Sequence, residues 1–549
     1  MSNPSPTQQL EEALDLHRQG RLEAAAALYR QVLEHNPDEI DALHLLGAIT
    51  AQQGNAEAGL QLIDRAIQLE PTCPDFHNNK GLILAGLGRL EEAIASHQYA
   101  VELDPDFAEA HNNLGNALVK IGQLAKAESA FRKTLQLQPD YANAHSNLGV
   151  VLQRQNKFEQ AIAAYRDALR LQPNHAEAQS NLGAALRETG RLGEAIDAYR
   201  AAIAIDESCI DAHSNLGAAY QELGRPADAV ASFERAIRLD PHAHSPRYNL
   251  ALTLLQQGDY PRGFAEYEHR TLAVLAAKRF PQPPWDGRDL NGSTILIHAE
   301  GGLGDVILFS RYIPLVKARG GNTVVLVQPE LIDLISTIEG ADRVLAKTAA
   351  LPPFEFHVPL LSLAHVFRTT LDTIPSKPYI FADPAAVSRW SAKLNGLKRL
   401  KVGLTWESSL KLSKGRHRWI AFEQLSPLRE FADISFISLQ KEKSAEPAPI
   451  FELLDWTADL HNLTDTAALI ESLDLVITVD TAVANLAGAM GKRVFVLLSH
   501  TANWRWLRDR SSSPWYPSAR LFRQKNPGDW DPVIAELAGA IKSEFSPSE

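Results

Sequence analysis

Two stretches of the chain combine residue types that could carry out group transfer. In "TILIHAEGGLGDVILFSRYIP", Thr294 to Pro314, an apolar run ends at three clustered glycines, Gly301, Gly302 and Gly304, and a carboxylate, Asp305, stands where a helix should begin. Bare backbone permits close approach of a substrate, and a carboxylate at a cleft rim can accept the proton of an incoming hydroxyl. The competing reading is that Asp305 only caps its helix, a role aspartate fills well. In "DLVITVDTAVANLAGAMGKRVFVLL" a buried strand ends at Asp480 and Thr481, and a helix of small residues starts at Ala482 with Asn485 in its first turn. Unpaired amides at a helix start suit the oxygens of a diphosphate, and the Thr481 hydroxyl can join them. Asp480 as a simple cap is the alternative.

Further groups could support the same chemistry. "ESSLKLSKGRHRW" gathers Ser408, Ser409, Lys411, Lys414, Arg416, His417 and Arg418, cations suited to neutralising a leaving diphosphate, or else a solvated loop. "HTANWRWLRDRSSSPWYPSARLFRQ" places Trp504, Trp506, Trp515 and Tyr516 among Arg505, Arg508 and Arg510. Such aromatics pack a seam between sheets, or stack on a base or sugar. Neither standard phosphate loop fits the first stretch. Ile307 stands where a dinucleotide fingerprint needs glycine, and no Gly-Lys-Ser/Thr occurs. With no metal-ligand spacing of His, Cys and Asp, a transfer without metal or cofactor is expected.

Elements of two kinds must position these groups. From residue 293 onward, apolar runs alternate with helical patterns: "TILIHA", "TVVLVQ", "DRVLA", "EFHVPL", "KVGLTW", "ISFISLQ", "DLVITVD" and "RVFVLLS". The alternation implies parallel sheets covered by helices, in two sets divided near "SRWSAKLNGLKRLK". Two Rossmann-like halves, 293–390 and 391–549, would bind ligands at the carboxyl ends of their strands, which is the GT-B architecture. A segment rich in Pro, Gly and Asp, 278–292, precedes them as a linker or docking piece.

Residues 1–277 keep a different beat. Pro37, Pro71, Pro105, Pro139, Pro173 and Pro241 are spaced by 34 or its multiple, with Glu207 in the missing slot. Gly20, Gly54, Gly88, Gly122, Gly190, Gly224 and Gly258 share the period, with Asn156 substituting once. A second series runs Gly47, Gly81, Gly115, Gly149, Gly183 and Gly217, and small Ala127, Ala161, Ala195 and Ala229 precede Phe131, Tyr165, Tyr199 and Phe233 by four positions. This pattern resembles the tetratricopeptide repeat. It implies an all-α superhelix of seven repeats and a degenerate eighth near 244–277, followed by the α/β GT-B-like domain.

One column does not follow from packing. Asn79, Asn113, Asn147, Asn181, Asn215 and Asn249 recur at one position of successive first helices, where asparagine costs roughly half a kcal/mol relative to alanine. In a tetratricopeptide stack this column faces the groove, and a ladder of carboxamides can clamp an extended peptide backbone. The alternative is that these amides bond only to neighbouring repeats. "AHNNLGNAL" and "AHSNLGVVL" resemble repeats of the eukaryotic O-linked N-acetylglucosamine transferase, whose asparagine ladder holds polypeptide. His77, His111, His145 and His213, two positions before the ladder, are too sparse for a metal column and read as groove-lining or packing residues.

"GLGDVI" and "ITVDTAVANLAGAMGK" resemble the paired motifs of the lipopolysaccharide heptosyltransferases, glycosyltransferase family 9. The resemblance implies a nucleotide-sugar substrate, inversion of configuration, Asp305 as catalytic base and donor binding around Asp480–Thr481. The family pattern has a histidine where this chain has Asn485, which can donate a hydrogen bond but cannot take up a proton or charge, and a Lys/Arg-Trp pair that Arg418 and Trp419 approximate. Gly302, Gly304, Ser408, Lys411, Arg416, Arg418, Asp480, Thr481, Ala482 and Asn485 form the expected donor site, and the asparagine ladder the acceptor site. The expected function is glycosyl transfer to a polypeptide. Transfer to a glycan or lipid with the repeats as a docking module is an alternative, and so is an interaction scaffold with an inactive transferase half.

Composition sets outer bounds. The net charge of -12 is concentrated in residues 1–277, where 36 acidic side chains face 23 basic ones. That disfavours nucleic acid as a ligand. No long apolar run or signal segment occurs, so a cytoplasmic protein without an integral membrane segment is expected. Cys73 and Cys209 lie four repeats apart, too far to bridge.

Overall fold

The structure is a computed structural model, and it describes residues 6–270, 280–408, 419–441 and 450–545. Sixteen helices open the chain in antiparallel pairs: α1 (Pro6–Arg18), α2 (Leu22–His35), α3 (Ile40–Gln52), α4 (Ala56–Leu69), α5 (Pro74–Gly86), α6 (Leu90–Leu103), α7 (Ala108–Lys120), α8 (Leu124–Leu137), α9 (Ala142–Arg154), α10 (Phe158–Leu171), α11 (Ala176–Glu188), α12 (Leu192–Ile205), α13 (Ile210–Glu222), α14 (Pro226–Leu239), α15 (His244–Gln257) and α16 (Tyr260–Tyr267). Each Gly20-type residue is left-handed, with φ between 74° and 94°, and Asn156 adopts φ 61°. This is the backbone state that reverses the chain between paired helices, and asparagine is the side chain that best tolerates it.

The second glycine series has a packing cause. A Cβ on Gly115, Gly149 or Gly183 would lie 2.6–2.7 Å from the rings of Phe131, Tyr165 and Tyr199. The aromatic side chain of each second helix thus rests on bare backbone of the first. Gly81 makes the same allowance for His97, the imidazole that replaces the aromatic in that repeat.

The chain divides into two compact units, residues 1–223 and 224–549. The boundary expected at 277 differs from this division because α15 and α16 bury their apolar faces against the α/β elements. Ala251, Leu255, Tyr260, Phe264 and Tyr267 belong to the same core as Phe309, Trp504 and Trp515. Trp515 Nε1 donates to the Tyr260 hydroxyl (2.8 Å), and Gln256 Nε2 donates to the Ala502 carbonyl (3.3 Å). The aromatic segment is therefore a packing seam, formed with the last helix pair. The segment after 279 docks as well, since Trp285 is buried and its N–H donates to the His357 carbonyl (2.8 Å).

The α/β part holds two parallel sheets. The first contains β1 (Thr294–His298), β2 (Asn322–Val327), β3 (Arg343–Ala346) and β4 (Phe356–Pro359) in the order β3-β2-β1-β4. The second contains β5 (Leu400–Thr405), β6 (Ile434–Ser438), β7 (Leu453–Leu454), β8 (Leu475–Val479), β9 (Val494–Leu498) and β10 (Ala519–Arg523) in the order β10-β9-β8-β5-β6-β7. Counted within its own half, the second sheet has the full doubly wound order, and the first has its first four strands. Helices α17 (Leu303–Phe309), α18 (Ile313–Lys317), α19 (Ile332–Ile335), α20 (Leu363–Val366), α21 (Pro384–Lys393), α22 (Leu463–Glu471), α23 (Ala482–Ala489) and α24 (Asp531–Phe545) cover them. All eight strands read from the sequence are present. β7 escaped that reading because it is two residues long, and β10 because its arginines hide an apolar alternation. No helix among the described residues is long and apolar enough to cross a membrane.

His97 makes the repeat array acid-sensitive. Burial pushes its pKa down to about 4, so it is neutral in the fold, while its ring lies 3.1 Å from Asn78 Oδ1. An unfolded chain takes up that proton near pH 6.5. The stabilisation is complete above about pH 6.5, is lost as pH falls through that value toward 4, and amounts to roughly 3 kcal/mol. His97→Phe should remove this component, seen as a smaller drop in the urea midpoint between neutral and acidic buffer than the wild type shows.

Candidate functional site

The loop after β1 is built around Asp305. Gly301 is left-handed (φ 79°), Gly302 caps α17, and the third helical residue, Asp305, accepts the Gly302 N–H at Oδ2 (3.3 Å). The capping role is therefore real. It leaves Oδ1, which takes an ion pair from Arg505 Nη2, and the Asp305 side chain keeps 31% of its surface exposed.

The junction after β8 meets this loop. Thr481 is the extended residue capping α23, and its hydroxyl lies 2.9 Å from that of Thr478. Asn485 is buried, donating Nδ2 to the Thr481 carbonyl (2.9 Å) and accepting at Oδ1 from Arg505 Nη1 (3.2 Å) and the Tyr516 hydroxyl (3.1 Å). A Cβ on Gly304 would stand 3.0 Å from Asn485 Nδ2 and 3.8 Å from the Ala482 Cα. Glycine at 304 thus lets the two helix starts touch. The Asn485 amide is thus engaged within the second half, by Thr481, Arg505 and Tyr516, and it is Arg505 that carries the link on to Asp305.

Arg505 joins all of these groups, and sequence reasoning did not single it out. Its Nε donates to Asn503 Oδ1 (3.2 Å), Nη1 to Asn485 and Nη2 to Asp305. Burial alone lowers its pKa, but the carboxylates of Asp305 and Asp480 more than offset that and hold it above the ordinary arginine value. The tryptophans on either side of it in sequence masked the signal, because the segment also satisfies a packing pattern.

A second buried guanidinium closes the first sheet. In a doubly wound sheet the ligand crevice opens where strand order reverses, here between β1 and β4. Arg270, just beyond α16, fills that place. It pairs with Glu300 at the end of β1 and donates to Ser362 Oγ after β4 (2.9 Å) and to Glu268 Oε1 (2.8 Å). Ser362 in turn donates to Glu268 Oε2 (2.8 Å). Tyr248 of α15 stacks on Tyr267 (5.9 Å between ring centroids), and burial together with the nearby Asp305 charge raises the pKa of both phenols. The final helix pair therefore forms one wall of the Asp305 site.

The asparagine ladder is not uniform. All six residues are half-buried. Asn79 Nδ2 lies 2.5 Å from His44 Nε2, while Asn113 and Asn147 donate to Asn78 Oδ1 (3.1 Å) and Asn112 Oδ1 (3.3 Å), each 35 residues back. The residues 35 back from Asn181, Asn215 and Asn249 are Ser146, Ser180 and Ser214, and no such bond joins them. The histidine column stitches turns: His77, His111, His145 and His213 place Nε2 2.8–3.1 Å from the carbonyls of Pro71, Pro105, Pro139 and Glu207.

Ser408 is buried and its Oγ accepts the Trp419 indole N–H (2.9 Å). Lys411, Arg416 and Arg418 lie outside the described residues. Among the described residues, no group of three or more His, Cys, Asp or Glu side chains could hold a metal ion.

Removing Arg270 would leave Glu300, only 10% exposed, without its counter-charge. Arg270→Met should destabilise the chain by about 3–5 kcal/mol. Adding Glu300→Leu should recover most of the loss, as read by chemical denaturation followed through tryptophan fluorescence.

Comparison with known proteins identifies the helical part. Tetratricopeptide repeat models match residues 16–83, 81–122, 106–174, 146–208 and 210–243. Among curated proteins, the protein FlbA of Caulobacter vibrioides is 32% identical over 327 residues, covering 53% of this chain and 54% of FlbA. The chain thus spans about half the length of this relative. Among solved structures, YrrB, a tetratricopeptide repeat protein with an unusual peptide-binding site, is 26% identical and covers 34% of this chain and 95% of its own, with a TM-score of 0.30. A MamA structure is also 26% identical, covering 31% and 92%, with a TM-score of 0.29. The chain carries tetratricopeptide repeats, which mark it as a protein-interaction module, joined to an α/β part with two parallel sheets.

Proposed function

We propose that the α/β part is a GT-B glycosyltransferase that moves a sugar from a nucleotide-sugar to a hydroxyl, and that the repeats present a polypeptide acceptor. One observation carries this reading: the loops leaving the carboxyl ends of β1 and β8, in separate parallel sheets, meet at Gly304 and Asn485 with a part-exposed carboxylate, Asp305, beside the contact. Facing carboxyl ends are where α/β sheets bind ligands, and a carboxylate there can take the proton of an attacking hydroxyl. The hydroxyl oxygen would form its bond to the anomeric carbon as the bond to the diphosphate breaks. Arg505 would stay paired with Asp305 and orient it, while the exposed edge of the carboxylate meets the acceptor hydroxyl. Inversion is what the family resemblance implies, and a transfer without metal is the expectation from the lack of metal-ligand spacing in the sequence; both belong to the same proposal. Asn181, Asn215 and Asn249 are the ladder residues whose amides suit a peptide backbone.

A second reading has support of its own. Asn485 is locked in structural bonds where the resembled family has histidine, and Arg270 fills the crevice of the first sheet. Both fit an interaction protein whose transferase half is silent.

Turnover separates the two. Purified full-length protein would be incubated with a panel of nucleoside-diphosphate sugars and a serine- and threonine-rich polypeptide, and release of nucleoside diphosphate measured. Asp305→Asn should lower turnover by about 10²–10⁴-fold while the thermal shift on donor binding persists. Asn181→Ala with Asn215→Ala should raise KM for the polypeptide and leave donor hydrolysis unchanged. Turnover insensitive to Asp305 would remove it as the base, and turnover absent with every donor would favour the interaction protein.

A further inference from the structure

A cavity of about 690 Å³ opens at β4, the edge strand of the first sheet. Its walls come from α16, from residues 284–286, which run beside β4 through the Pro284–His357 bridge, and from the turns before and after α20. The volume is within the range of small-molecule sites. Phe264, Trp285, Val358, Ala364 and Val366 make the lining largely apolar.

The polar groups of the lining are mostly taken. Glu268 is held by Arg270 and Ser362, Asp286 receives Nε and Nη2 of Arg288 (2.7 and 2.6 Å), and the Thr369 hydroxyl lies 2.7 Å from that of Tyr312. Burial keeps the pKa of His357 below the ordinary value, so that imidazole is uncharged at neutral pH. Arg368 is the exception. It is exposed at the mouth, beside His365, and among the described residues no carboxylate pairs with it.

The backbone of Arg368 is a second, independent sign. It follows α20 with φ 50°, its N–H donating to the His365 carbonyl (2.9 Å) and the Thr369 N–H to the Ala364 carbonyl (2.9 Å). A helix that ends this way ordinarily has glycine in the left-handed position, because a side chain there is disfavoured. Here the disfavoured residue is the one that brings a free cation to the cavity, and such outliers collect at ligand clamps.

We infer that the cavity binds an apolar carboxylic acid, with its chain or ring between Phe264, Trp285 and Val366 and its carboxylate on the Arg368 guanidinium. One uncompensated charge matches a monoanion, and arginine meets a carboxylate through two parallel bonds. A sugar or a base would find few free partners, since Glu268, Ser362, Asp286 and Thr369 already have theirs. Asp305 is not among the walls, and the site does not rest on the transferase proposal. Glu268 and Ser362 also fix Arg270, so an occupant lies against the network that reaches Glu300.

Calorimetric titration of the full chain with decanoate, and with decanol as its uncharged counterpart, tests this. Decanoate should fill one saturable site, raise Tm, and bind at least about tenfold more tightly than decanol. Arg368→Gly should weaken decanoate about tenfold and leave decanol unchanged, while the ligand-free Tm stays level or rises because glycine accepts φ 50°. Arg368→Lys should retain most of the affinity. Val366→Trp, which places an indole in the cavity, should abolish binding of both probes. Equal binding of decanoate and decanol, or decanoate affinity unmoved by Arg368→Gly, would overturn the inference. A fall in the ligand-free Tm of Arg368→Gly would do the same, by making the arginine a structural part of its turn. So would full binding by Val366→Trp, or none by the wild type.

Discussion

The Arg505 guanidinium binds two sheets into one site. It is almost fully buried, and each nitrogen meets an oxygen supplied by a different turn: Asn503 from its own loop, Asn485 from α23 and Asp305 from α17. A buried cation is tolerable only if its hydrogen bonds and counter-charge are all present, so the three turns must arrive together. The close approach of α17 and α23 follows from that demand, and so does the absence of a side chain at Gly304. Asp305 is held part-exposed by the same pairing.

The last helix pair shows how the repeats become part of that site. α15 and α16 continue the 34-residue pattern, yet Tyr260 and Phe264 bury against Trp504 and Trp515. Aromatic pairs of this kind contribute about 0.5–1.5 kcal/mol each beyond the area they bury. Arg270 then places a second guanidinium against Glu300, two residues before Gly302. Packing of the final repeat and the shape of the glycine loop are therefore coupled through one short run of chain.

The asparagine ladder shows how identical residues acquire different roles. Asn113 and Asn147 meet an asparagine carbonyl 35 residues back, whereas Asn181 and Asn215 meet only a serine, whose shorter side chain makes no such bond. The pairing was visible in the sequence once its 35-residue offset was known, but that offset comes from the way one repeat stacks on the next. The histidine column is local by contrast, since its bonds reach back only six residues to the preceding turn.

Local chemistry was legible from residues alone. Period, turn glycines, apolar strands and the cap at Asp305 each depend on neighbours within a helical turn or a strand, and the amino-acid sequence determined them. The packing role of the tryptophans was also readable, because fully apolar faces must be buried somewhere. Partnerships across tens to hundreds of residues were decided only by the tertiary structure: Arg505 with Asp305, Arg270 with Glu300, and Arg523 with the Trp506 carbonyl. A guanidinium can pair with any carboxylate or carbonyl that comes within reach, and reach is set by how strands order themselves in a sheet and helices stack on it. Residue types therefore specified which groups needed partners, and the fold selected which partners they met.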